Sequence, residues 1–125
     1  MMVEQMINYD SLIENVCNEF PKVRELYYVE LKSDSIDFDS GVHTVFSLCF
    51  VPVLKEAILN DDALAQRMFD YLEKMEISED NLIGEVAEFT VLEEILDVFE
   101  FNKLRKYMGK FTIEAATLIN RYINQ

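Results

Sequence analysis

The sequence predicts an all-α fold, a single compact helical domain over residues 1–125 built as a bundle of about six helices. Three observations carry this. Glycine and proline number only 3 and 2, too few for the many turns that sandwiches and barrels require. Apolar residues recur at three- and four-residue steps along most of the chain, which places them on one face of a helix. Half of the 125 residues are hydrophobic and 28% are charged, a balance that builds a core instead of a disordered chain. Stacked α-hairpins are one arrangement such helices can take.

The first helix is expected from near Val3 to Phe20, with Met6, Tyr9, Ile13, Val16, Cys17 and Phe20 on one face. Asp10 offers a second start, which would make Ser11 to Phe20 the helix. Pro21 suits the first turn of a new helix, where its missing N–H costs nothing. That helix turns Val23, Leu26, Tyr27 and Leu31 inward.

Residues 33–41 break the pattern as a polar, acidic loop containing Ile36 and Phe38. Helix resumes near Val42, with Phe46, Cys49, Phe50 and Val53 inward. Pro52 cannot donate to the Leu48 carbonyl, so it kinks this run or opens a new helix. Asn60, Asp61 and Asp62 supply a break and an N-cap. The following helix buries Leu64, Met68, Tyr71, Leu72 and Met75. Gln66, Arg67, Asp70, Glu73 and Lys74 form its outer face, with Asp70 and Lys74 as an i,i+4 pair.

Ser78 reads as the next N-cap, with Glu79 and Asp80 in the first turn. Leu82, Ile83, Val86, Phe89, Leu92, Ile95, Leu96 and Phe99 then spread around much of one helix. That element is either central and contacted from several sides, the favoured reading, or broken near Thr90. Asn102 is expected to cap a short helix ending at Gly109 as its C′ residue. Thr112 is expected to cap the last helix, whose stripe is Ile113, Ala116, Ile119 and Ile123.

Charge is the most unusual property. There are 24 acidic and 11 basic residues, a net charge of -13. Residues 101–125 are basic, with 5 bases against 1 acid, so the acidity lies in the rest of the chain. An acidic body repels nucleic acid and anionic lipid and attracts a basic protein. The expected partner is therefore a basic protein, with neither direct nucleic-acid nor membrane binding. The N-terminus lacks a basic segment followed by an apolar run, so no signal peptide is expected. The longest apolar stretch, between His43 and Leu54, is interrupted by Thr44, Ser47 and Pro52 and is expected to be too short to span a bilayer. The expected location is cytoplasmic.

Catalytic patterns are missing. His43 is the one histidine and reads as a structural residue at a helix start. Gly41, Gly84 and Gly109 are too scattered for a phosphate loop. Cys17 and Cys49 read as buried reduced thiols. Two cysteines and one histidine cannot close a four-ligand zinc site. Asp34, Asp37 and Asp39 lack the glycine and glutamate of an EF-hand. No enzyme activity, cofactor or metal is expected.

The acidic residues themselves are the candidate site. Asp34, Asp37 and Asp39 form either a solvated loop or a partner-facing one. Residues 70–100 hold 11 acids and one base, Lys74. Within them Glu85, Glu88, Glu93, Glu94 and Asp97 are the expected partner-binding carboxylates, since charge complementarity speeds association.

Four stretches also carry a resemblance. They are Phe20-Pro21, the aromatic-rich run before Val53-Leu54-Lys55-Glu56, Leu64-x-x-x-Met68-Phe69-Asp70-Tyr71-Leu72-Glu73 followed by Val91-Leu92-Glu93-Glu94-Ile95, and Tyr107-Met108-Gly109-Lys110. Together they resemble a family of small acidic all-helical bacterial proteins, largely uncharacterised, that are similar to immunity proteins of toxin systems. The resemblance covers most of the chain and rests mainly on hydrophobic patterning. It implies a protein that binds and neutralises a cognate toxin, which the charge suggests is basic and nuclease-like. It implies no catalytic residue. Two other functions fit the same acidity and core: a DNA-mimicking regulator of a basic nucleic-acid-binding protein, and a structural adaptor subunit.

Overall fold

The computed structural model describes residues 7–124. Seven helices and no strand make up the described residues. Helix α1 covers residues 9–19, opening with a 3-10 turn, and α2 is Pro21–Lys32. Helix α3 is Val42–Asn60 and α4 is Asp62–Glu76. Helix α5 covers residues 81–98, α6 covers 101–107 and α7 is Lys110–Ile123.

The caps explain several boundaries. Asn8, not Asp10, starts α1: its side chain accepts from Ser11 N–H at 3.0 Å. Val3 and Met6, expected on this helix, lie outside the described residues. Pro21 opens α2 as its first residue. Asp61 caps α4 by accepting from Leu64 N–H at 3.1 Å. Asp80, not Ser78, caps α5, accepting from Leu82 N–H at 3.0 Å. Ser78 instead accepts from Asp80 N–H and so braces the cap.

Helix α3 continues through Pro52. Residues 46–50 just before it form a π-helical turn. Leu48, whose carbonyl Pro52 cannot reach, lies in that wider turn, which accommodates the missing bond without ending the helix. The 19 residues of α3 are long and apolar enough to cross a membrane by length and composition, which corrects the shorter interrupted stretch read from sequence. Here Val45, Phe46, Cys49, Phe50 and Leu54 are core residues.

Helix α5 is also continuous, with a π-helical turn at residues 86–92 where a break near Thr90 was the alternative. It packs against α3, α4 and α7, so it is the central element. Ile83, Val86, Val91, Leu92 and Ile95 are fully buried along it. Leu82 and Phe89, expected to share that apolar surround, face outward. Three packed sides leave one open side, and these two residues occupy it.

Helices α1 and α2 pack together, as do α3 and α4. One contiguous core joins them, centred on Phe20, Phe46, Phe50, Phe69 and Leu72. The Phe20 ring meets the Phe50 and Tyr71 rings edge-on, the geometry that aromatic quadrupoles favour. Tyr71 satisfies its hydroxyl by donating to Asn15 Oδ1 at 2.6 Å.

The C-terminal region differs from its sequence reading. Gly109 follows Met108, the C-cap of α6, and so holds the expected C′ position, but with φ -80° and ψ 177° it is extended, not left-handed, and serves at once as the N-cap of α7. Asn102 lies inside α6, which Glu100 precedes as cap. Thr112 lies inside the first turn of α7, fully buried. The cap of α7 comes from another helix: Glu73 of α4 accepts from Phe111 N–H, Thr112 N–H and the Thr112 hydroxyl. Glu73 is thus half-buried and not part of an outer face. Asp70 accepts from Gln66 Nε2 at 2.9 Å where Lys74 was the expected partner.

Candidate interaction surface

Helices α3 and α5 meet through two polar bridges. His43 Nδ1 and Thr90 Oγ1 share a hydrogen bond of 2.6 Å. The Ser47 hydroxyl donates to Glu94 at 2.7 Å. Each pair is separated by the same 47 positions, so α3 and α5 run parallel along this seam. Each bridge has one partner inside a π-helical turn, Thr90 in one and Ser47 in the other, and the two turns pack against each other. Such turns aim side chains differently from an ordinary α-helix. His43 is exposed and Thr90 buried, so the histidine bridges the edge of the seam.

The acidic loop leads into this seam. It is built by local bonds. Asp34 adopts a left-handed backbone with φ 61°, a conformation aspartate tolerates better than most residues. Asp37 Oδ1 accepts from Asp39 N–H at 2.9 Å, an Asx-type turn. Asp37 N–H donates to Ser40 Oγ at 3.0 Å. Ile36 is buried and anchors the loop, while Phe38 is 85% exposed. Gly41 then caps α3 two residues before His43. Asp37 and Asp39 thus precede by six and four residues the His43 that contacts Thr90 of α5.

The eight expected carboxylates divide into two groups. Asp34, Asp37, Asp39, Glu93 and Asp97 are exposed. Glu93 and Asp97 are four residues apart on α5, and Phe89, 61% exposed, lies four residues before Glu93. This spacing gives one outward stripe of aromatic and acid. Glu85, Glu88 and Glu94 are half-buried. Glu94 is engaged by Ser47, and Glu88 is turned toward Glu76 of α4.

That last contact forms a separate cluster of Glu73, Glu76 and Glu88. Burial, then the Glu88 charge, a hydrogen bond to Glu88 and the Glu73 charge push the Glu76 carboxyl from 4.5 up to about 8. A protonated Glu76 donating to the Glu88 carboxylate removes a repulsion that two anions would suffer. Glu76 Oε1 is buried without a partner among the described residues. Among the described residues no group of three or more His, Cys, Asp or Glu has metal-holding geometry.

The exposed aromatics Phe38 and Phe89 were not part of the expected site. Phe38 carried a signal, since a lone phenylalanine in an acidic loop has no helical face to fill. Phe89 carried none, because its spacing fits a buried stripe equally well. Cys17 and Cys49 are free and buried, and burial raises both thiols, Cys49 to about 12.

A family model described as Domain of unknown function (DUF7674) matches residues 13–121. No curated protein and no solved structure matches the chain.

Proposed function

This chain belongs to the DUF7674 family, and from its surface we propose that it is a non-catalytic domain that binds a basic protein. The observation that carries this is the placing of two acidic groups beside one seam. Asp37 and Asp39 lie in the loop that leads into α3, and Glu93 and Asp97 lie on the α5 helix that α3 contacts through His43 and Thr90. Phe38 is exposed in that loop, and Phe89 is exposed on α5 four residues before Glu93. Interfaces draw much of their energy from a few aromatic anchors ringed by polar groups. Uncompensated carboxylates around such anchors select a partner with lysines and arginines. A nuclease-like bacterial toxin presents such a surface where it holds nucleic acid. Neutralising one, as an immunity protein does, is the specific form of the proposal.

The test is capture from the source lysate with the native chain and with the variant Asp37→Lys, Asp39→Lys, Glu93→Lys, Asp97→Lys. The proposal expects a basic protein held by the native chain and lost by the variant. That protein should arrest growth when expressed alone and be silenced by co-expression of the native chain. Equal recovery by both chains, or no basic protein with either, would overturn it.

A further inference from the structure

We infer that the groove between α2 and the end of α3 is a second docking site, and that its occupant is a short basic amphipathic helix of a partner protein. Helix α2 packs on α3 mainly at residues 46–50. Farther along the two leave a cleft of about 490 Å³ lined by Leu26, Val29, Val53, Ala57 and Leu64. Val29 is 57% exposed there, and Leu26 and Leu64 are only half-buried. Apolar walls open to water along a cleft are the usual mark of a recognition groove.

The walls state what fits. Glu25 stands on the α2 side and Glu56 on the α3 side, with Asp61 at the end, against a single cation, Lys22. Three carboxylates against one ammonium leave the rim acidic. An occupant must therefore carry apolar side chains for the floor and Lys or Arg on both flanks. Lining residues on α2 run from Lys22 to Val29, about 10 Å of helix axis. That length matches about two turns of a docked helix, presenting apolar residues at i, i+3 or i+4, and i+7. The groove involves none of Asp37, Asp39, Glu93 and Asp97, so it stands or falls separately from the acidic surface above.

The experiment uses the full chain and two labelled synthetic 14-residue helices. Both carry leucine at the i, i+3, i+4, i+7 positions; one has lysine elsewhere and the other glutamate. Anisotropy gives affinity, and backbone amide NMR shifts give the location. The expected result is binding of the lysine helix, with shifts concentrated at residues 22–29 and 53–64. Val29→Lys should weaken it at least tenfold, and Glu25→Lys with Glu56→Lys should transfer preference to the glutamate helix. The quadruple lysine variant of the acidic surface should keep these groove shifts. Shifts confined to residues 34–39 and 85–97 would overturn the inference, as would a lysine-helix affinity untouched by Val29→Lys. Concentration-dependent self-association of the chain that Val29→Lys abolishes would replace the proposed occupant with a second copy and overturn it too.

Discussion

Glu73 of α4 and Thr112 of α7 are joined by two 2.8 Å hydrogen bonds, from the Thr112 N–H and from its hydroxyl to the same carboxylate oxygen. The carboxylate thereby serves as the N-cap of a helix it does not belong to. Charge-assisted bonds at a helix start combine the cap with the favourable end of the helix dipole. Glu73→Ala is expected to cost about 1–3 kcal/mol in urea unfolding. A change below the error of the melt would show that water replaces this cap freely.

Gly109 lies against the same side chain. A Cβ built there falls 2.5 Å from Glu73 Cδ. Its backbone angles suit any residue, so space alone demands glycine. Gly109→Ala is expected to destabilise the native chain by about 1–2 kcal/mol by displacing Glu73. In the Glu73→Ala background that cost should vanish. The coupling from a double-mutant cycle measures this; strictly additive costs would refute it.

Glu76 makes stability depend on pH. Its folded carboxyl titrates at about 8 against an ordinary 4.5, so the unfolded chain releases the proton first. Between those values the folded state binds more protons, and stability falls as pH rises. Below about 4.5 this residue contributes no slope. Glu76→Gln should flatten the decline from pH 5 to 8 in a series of urea melts. An unchanged slope would place the titrating group elsewhere.

The His43–Thr90 bridge ties α3 to α5 at its exposed edge. Thr90→Val keeps the shape and removes the hydroxyl, leaving an exposed imidazole that water can serve. The expected cost is about 0.5–1.5 kcal/mol. A loss several times larger would mean that Thr90 supports more than this bond.

Cys17 and Cys49 should be inert toward a thiol reagent in the folded protein. Both are buried, and burial disfavours the thiolate that reacts. Labelling should follow global unfolding when urea is raised. Rapid labelling in native buffer would show local opening of α1 or α3.

The fold class was legible because the apolar spacing and the scarcity of glycine and proline are properties of the chain itself. The Pro21 and Asp61 boundaries were legible for the same reason, since capping chemistry is local. Glu73 shows where local reading ends. Its spacing puts it on a polar face of α4, and only the docking of α7 turns that face into a cap. That Gly109, and not Thr112, is the N-cap of α7 was not legible, because the Glu73 side chain that both residues meet is 36 or more residues away. The eight acidic residues were visible as charge, and tertiary packing then sorted them. Ser47 engages Glu94, Glu76 faces Glu88, and Asp37, Asp39, Glu93 and Asp97 remain exposed. Composition thus determined that the protein is helical and acidic. Which carboxylates are left for a partner was decided by which helices pack together, because that packing sets which charges other side chains already satisfy.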